Sequence, residues 1–222
     1  MSFLTFRRYY LDTLLERQVF RGKVLDVGGH KTKKRGRCEP DIKLVTDWHY
    51  LNIDESTNPD FCCSADNIPV EDEEYDYVIL CEVIEHLENP ENVLVECSRV
   101  LAPGGKIIIS APFIFPIHAH PDDFQRWLPS KYLKVLESIK FENIKVQAMG
   151  GLIPAIWDIF RFQFMNGVGG TYPILGRILV KLMKFTIPLV FLSEKIFHSS
   201  RFISGGYFVT AEKIFDSSSE IA

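Results

Sequence analysis

Acids recur where apolar runs stop. Asp26 closes the run in VLDVGGH, Asp54 closes HYLNID, Asp66 closes FCCSAD and Glu82 closes YDYVILCE. A carboxylate at the end of a buried strand sits at the rim of a sheet. There it can accept hydrogen bonds from a polar ligand or balance a cationic one. Behind Asp26 stand Gly28 and Gly29, which let the backbone turn tightly and approach a ligand with no Cβ in the way. The second half of a G-x-G-x-x-G pattern is missing, and His30-Lys31-Thr32-Lys33-Lys34 stands in its place. A dinucleotide pyrophosphate needs that fuller pattern and a helix N-terminus for its phosphates, so a nicotinamide oxidoreductase is disfavoured.

Two further polar sets stand out. In EVIEHLENPENV, Glu82, Glu85 and His86 form E-x-x-E-H. In APFIFPIHAHPDDFQRW, residues 111–127, His118, His120, Asp122, Asp123 and Arg126 share a proline-rich loop. An imidazole titrates near neutrality, so His118 or His120 suits a general base, with Asp122 or Asp123 to orient its ring. The competing reading is a loop whose charges pair among themselves. Phe124 and Trp127 read as packing anchors.

Such residues need elements to hold them. Strand-like runs fall at 23–27, 49–54, 61–66, 75–82, 106–110, 142–150 and 205–213. Helical spacing covers 88–105, opened by Asn89-Pro90 and stopped by Pro103-Gly104-Gly105, and 128–141, with Ser130 as a candidate cap. Strands alternating with helices imply an α/β fold: a parallel sheet with helices on both faces and a ligand site beyond the carboxyl ends of its strands.

The chain's 222 residues suit one domain. Residues 1–21 read as an amphipathic N-terminal cap helix and 151–204 as a helical insertion before the last strand. A net charge of −4 gives no basic footprint for nucleic acid. Five cysteines without C-x-x-C pairing read as reduced thiols of a cytoplasmic protein. The start lacks the apolar core of a signal peptide. The longest uncharged piece of the apolar region, Phe185 to Ser193, is nine residues, short of the ~20 that cross a bilayer. The insertion carries six basic and two acidic residues, leaving −8 on the remainder. Arg177, Lys181 and Lys184 share one helical face, with Ile174, Leu175, Ile178, Leu179 and Leu182 around the rest. That pattern fits a lid over a hydrophobic acceptor, a docked helix with a solvated basic edge, or a segment in peripheral contact with a membrane.

Taken in order, VLDVGG, YLNID, ADNIPVEDEEYDYVILCEVIEHL and VLAPGGKIIISAP resemble the motifs of class I methyltransferases that use S-adenosylmethionine (SAM), in particular the small, type-11-like methyltransferase-domain proteins. The likeness covers residues 22–150 and the strand at 205–213. It implies a Rossmann-like sheet, mostly parallel with an antiparallel last strand, and SAM as cofactor. SAM carries no phosphate, which suits the shortened glycine pattern. The resemblance places Asp26, Gly28 and Gly29 at the amino-acid end of SAM and Asp54 on the ribose hydroxyls. Asp47 is a rival for Asp54, because the 28-residue gap from Asp26 exceeds the usual ~20. Asp66 and Asn67 fall at the adenine, and Cys81 and Glu82 at the methionine end. E-x-x-E-H also resembles a metal-binding pattern of magnesium-dependent methyltransferases. A hard ion wants more oxygen ligands than it supplies, so no metal is expected. The implied activity is transfer of a methyl group to a small or lipid- or glycan-linked acceptor, most simply at oxygen, with His118, His120 and Asp122 as the catalytic candidates. The alternatives are a non-catalytic or partner-dependent protein of this fold and a membrane-associated adaptor acting through 151–204.

Overall fold

The computed structural model describes residues 5–31, 36, 38–118, 122–197 and 202–215. Among these, six strands form one sheet in the order β2-β1-β3-β4-β6-β5. The strands are β1 (Arg21–Val27), β2 (Leu44–Leu51), β3 (Tyr75–Cys81), β4 (Leu101–Pro112), β5 (Phe141–Ala148) and β6 (Gly206–Lys213). β2, β1, β3 and β4 run parallel, and β6 is antiparallel to both neighbours. The expected mixed sheet is present, and its chain order reverses between β1 and β3, the kind of position where sheets of this type hold ligands.

Side chains alternate across the pleat and build a core on each face. Leu25, Val78, Leu80, Ile107, Ile109 and Val209 pack under α2 (Pro90–Val100) and α3 (Pro129–Ser138). Val24, Tyr77, Ile79, Ile108 and Phe208 face the other way, toward Leu11 of α1 (Phe6–Glu16). The insertion forms α4 (Leu152–Phe162), a π turn (Gln163–Val168), the single turn α5 (Gly169–Thr171), α6 (Pro173–Met183), a 3-10 turn (Lys184–Thr186) and α7 (Ile187–Phe197). All five cysteines are free thiols. Among the described residues no helix is long and apolar enough to cross a membrane.

The elements depart from expectation at four places. The run at 61–66 makes only one parallel bridge, Leu51 with Phe61. Asp60 turns its carboxylate onto the Tyr50 N–H at 2.9 Å, and a side chain that satisfies the backbone locally competes with a ladder. β2 ends at Leu51, before Asp54, because Asn52 Oδ1 accepts the Asp54 N–H at 3.0 Å. α2 ends at Val100, so Pro103-Gly104-Gly105 lies within β4, with Gly104 at φ +75°. α3 begins at Pro129 with Leu128 in the cap position, so Ser130 does not cap it.

The N-terminal helix is fixed from the insertion. Asp158 of α4 is buried and accepts the N–H groups of Phe6 and Arg7 at 2.8 and 2.9 Å. It thereby satisfies two first-turn donors that have no partner within the helix. Burial pushes its carboxyl up to about 6, against the pull of those two N–H groups. Replacing Asp158 with Ala leaves two buried donors unmet. Denaturant unfolding should show a loss of about 2 kcal/mol or more at unchanged m-value. A loss under about 0.5 kcal/mol would show that other groups hold α1.

Candidate functional site

The parallel register aligns the carboxyl ends of β2, β1, β3 and β4 on one rim, with Val27 beside Leu51 and Cys81 beside Ser110. Gly28 leaves β1 at φ +75°, a region that favours glycine. A Cβ on Gly28 would meet Val83 Cγ2 at 2.4 Å, and one on Gly29 would meet the Asp26 carboxyl carbon at 2.4 Å. The bare backbone is therefore required by the Val83 and Asp26 side chains that pack directly on it. Asn52, which sequence reasoning passed over inside YLNID, fixes this turn. Its Nδ2 donates to the carbonyls of Gly28 and Gly29 at 3.2 and 3.1 Å.

Asp54 follows three residues beyond β2, and its carboxylate caps a short turn by accepting the Ser56 N–H at 2.9 Å. Asp47 lies in mid-strand opposite Lys23, away from the rim, and its rival claim fails on position. Asp66 is exposed in a turn, with Asn67 N–H donating to Ser64 O at 3.4 Å. Cys81 ends β3, and burial pushes its thiol up to about 12.

Glu82 takes a left-handed backbone at φ +60°. One carboxylate oxygen accepts from Arg7 of α1 and the other from Ser110 Oγ at 3.0 Å, while Glu82 N–H donates to Ser110 O at 2.8 Å. This carboxylate is engaged by the protein itself. Arg7, separated from Glu82 by 75 positions, leaves no local signal in the sequence.

The turn at Glu82 delivers the short helix Ile84–His86. Glu85 is fully buried, and among the described residues neither carboxylate oxygen has a hydrogen-bond partner. Its Oε1 stands 3.8 Å from His86 Nε2 and 3.9 Å from His118 Nε2. Burial pushes the Glu85 carboxyl upward, against the pull of His86, Arg7 and Arg126. His86 Nδ1 meets the main-chain carbonyl of Asp122. His118 Nδ1 lies 3.2 Å from Pro116 O and 3.4 Å from Asp123 Oδ2. Each Nδ1 faces acceptors, which places its hydrogen there and leaves both Nε2 lone pairs toward Glu85.

Of the two aspartates offered to orient an imidazole, Asp123 is the one beside His118. Asp122 is exposed and supplies only its carbonyl. Asp123 is held down to about 2, chiefly by Arg126, whose Nη2 donates to Oδ2 at 2.7 Å. His118 lies below its ordinary 6.5, chiefly through burial. His120 falls outside the described residues. Glu85, His86 and His118 offer ligand atoms all within 4.8 Å of one another, a set with the chemistry to hold a metal ion. Glu82 of the E-x-x-E-H motif is not part of it.

Beyond this pole, Phe113, Phe115 and Pro116 face Ile159 and Phe162 of α4 across an apolar cleft of about 470 Å³. Phe115 also carries the Arg7 guanidinium at 4.5 Å and touches the His118 ring at 5.2 Å between centroids.

Comparison with known proteins bears on what this rim holds. Residues 46–109 match the family described as methyltransferase domain, a span from β2 into β4. This match is consistent with a class I, SAM-dependent methyltransferase. An uncharacterised protein of Methanocaldococcus jannaschii is 46% identical over 45 residues, covering 20% of this chain and 22% of the relative. The malonyl-[acyl-carrier protein] O-methyltransferase of Alcanivorax borkumensis is 28% identical over 87 residues, covering 39% of this chain and 29% of the relative. The chain thus spans less than a third of the length of these curated relatives. A SAM-dependent methyltransferase structure from Archaeoglobus fulgidus superposes with TM-score 0.54 at 15% identity, covering 93% of this chain and 94% of that one, and shares the fold.

In a methyltransferase of this class the glycine turn should decide cofactor affinity. Gly28→Ala combines a strained backbone with the Val83 clash. It should weaken S-adenosylhomocysteine (SAH) binding by about 10-fold or more in calorimetry. Asn52→Ala, which frees the turn without filling it, should weaken binding in the same direction. Wild-type affinity in both variants would place the cofactor elsewhere.

Proposed function

We propose that this protein transfers the methyl group of SAM to an oxygen atom of a small acceptor, one carried on a lipid or glycan. The carrying observation is the convergence, on one rim, of the glycine turn at Gly28 and a polar set in which the part-buried His86 and His118 flank a buried Glu85 whose carboxyl oxygens lack hydrogen-bond partners among the described residues. The apolar cleft between the 113–116 loop and α4 favours the lipid-linked form. The O-methyltransferase among the relatives supports oxygen as the atom methylated. The absence of disulfides among the five cysteines supports a cytoplasmic, reducing setting.

SAM, when bound, supplies a methyl group on a cationic sulfonium. Gly28 and Gly29 let the amino-acid end approach the main chain, and Asp26 offsets its positive charge. Asp54 would hold the ribose hydroxyls, Asp66 and Asn67 the adenine, and Cys81 would line the methionine end. Glu82, engaged by Arg7 and Ser110, holds the turn that forms this wall and acts as a positioning residue. His118 would accept the acceptor's hydroxyl proton at Nε2 while the acceptor oxygen takes the methyl group and SAH is released. Asp123 and Pro116 keep the ring in the tautomer that can do so. Most of the acceleration comes from alignment of nucleophile and methyl group, and the base adds ~10²–10⁴-fold.

The test is transfer of label from methyl-labelled SAM to hydroxyl acceptors with and without a lipid tail. His118→Ala should lower kcat by about 10²–10⁴-fold while SAH affinity stays within a few-fold. A base must be neutral to work, and His118 lies below 6.5. The acid limb of kcat/KM should therefore fall below that value, with activity lost only under more acidic conditions. Labelling that persists at the wild-type rate in His118→Ala removes this residue from the chemistry.

A further inference from the structure

From Pro173 to Phe197 the chain runs as a nearly continuous helical rod, α6, one 3-10 turn and α7, about 37 Å long at 1.5 Å per residue. Val180, Met183, Ile187 and Val190 face inward, the last three toward the cluster of Phe6 and Trp157. Trp157 Nε1 also donates to Thr186 Oγ1 at 2.9 Å and pins the middle of the rod to α4. Ile174, Ile178, Leu182, Phe185, Leu189 and Ile196 recur at helical spacing on the opposite side. They are between 48% and 78% exposed. A helix docked on a core turns its apolar stripe inward; this rod carries a second stripe outward.

The charges decide what suits that stripe. Arg177, Lys181 and Lys184 recur at steps of four and three along its border, all exposed. The rod's one acid, Glu194, points inward and accepts the Gly151 N–H at 2.8 Å. Exposed Tyr172 and Phe197 flank the two ends. An outward apolar stripe, a cationic border and aromatic ends match a helix lying in the plane of an anionic lipid surface. A protein groove would cover the stripe but gives no reason for a border of one sign.

We propose that residues 173–197 lie on a membrane carrying anionic lipids, with the apolar stripe in the acyl boundary and Arg177, Lys181 and Lys184 at the lipid phosphates. α4, tied to the rod through Trp157, also lines the apolar cleft. The surface that binds lipid is thus joined by one helix to the place proposed for the acceptor. The proposal stands on the rod alone and holds whether or not a methyl group is transferred.

Flotation of the full chain tests it, with vesicles of phosphatidylcholine alone and of phosphatidylcholine mixed with phosphatidylglycerol. The chain should float with the mixed vesicles and release as salt rises. The double variant Phe185→Ser, Leu189→Ser should bind about 10²-fold more weakly. Replacing Arg177, Lys181 and Lys184 with Gln should abolish the preference for phosphatidylglycerol. All these positions are exposed, and an unchanged thermal unfolding curve confirms folding of each variant. A chain that stays at the bottom of the gradient with both vesicles overturns the proposal, as does equal flotation of the double variant. Sedimentation as a dimer that the double variant dissolves, without flotation, assigns the stripe to a second copy and overturns it too. SAH binding is not a readout here, so failure of this proposal and failure of the methyl-transfer reading are told apart.

Discussion

The site depends on one unfavourable turn. After β3 the chain enters the left-handed region at Glu82, a conformation that costs a residue with a Cβ about 1 kcal/mol. Three groups hold it there: Ser110 receives the N–H, Ser110 Oγ donates to one carboxylate oxygen, and Arg7 donates to the other. A charge-assisted contact is stronger than a neutral one, and Arg7 is anchored in turn by Asp158 through its own N–H. The N-terminal helix, the insertion and two central strands therefore meet at a single residue. Without that convergence an extended backbone would carry Glu85 outward. With it, Glu85 is placed in the dry interior against two imidazoles.

That placement sets three acceptors facing one another. A carboxylate and two Nε2 lone pairs stand nearly 4 Å apart, too far for hydrogen bonds and with no donor between them. Desolvation outweighs the attraction of the nearby cations for Glu85, which is why its carboxyl moves upward. A buried acceptor left unmet costs about 1–3 kcal/mol, and the surrounding packing sustains that cost. A hydroxyl entering the space would supply what the folded protein leaves unmade. In the proposed methyl transfer, the acceptor's proton would be drawn by groups already oriented, a preorganised arrangement.

Much of the frame was legible because it is local. β1, β3, β4 and β6 are built around short apolar stretches (VL, YVILC, III and YFV), and Asp26, Gly28 and Gly29 fall at the reversal of strand order. What escaped is carried by contacts across long separations. Arg7 meets Glu82 over 75 positions, and Asp158 meets Phe6 over 152. Neither leaves a spacing to detect. Asn52 sat inside a motif scanned only for its acid. The run at 61–66 has strand composition, yet Asp60 answers the Tyr50 backbone with its own side chain and only one bridge forms. Between Asp122 and Asp123, which are adjacent in sequence, the choice fell to Arg126, whose guanidinium holds Asp123 beside His118.

The insertion follows the same logic of shared residues with a different outcome. α4 serves three neighbours at once: Asp158 anchors α1, Trp157 ties the rod, and Ile159 and Phe162 wall the cleft beside His118. Consecutive positions on a helix point about 100° apart, so Trp157, Asp158 and Ile159 reach separate partners by necessity. The rod's contact at Trp157 lies one residue from the carboxylate that accepts the Arg7 N–H. Arg7 in turn stacks on Phe115 and holds Glu82. Packed interiors resist small deformations and pass them on. The outward-facing rod and the part-buried histidines are therefore joined through contiguous side-chain contacts.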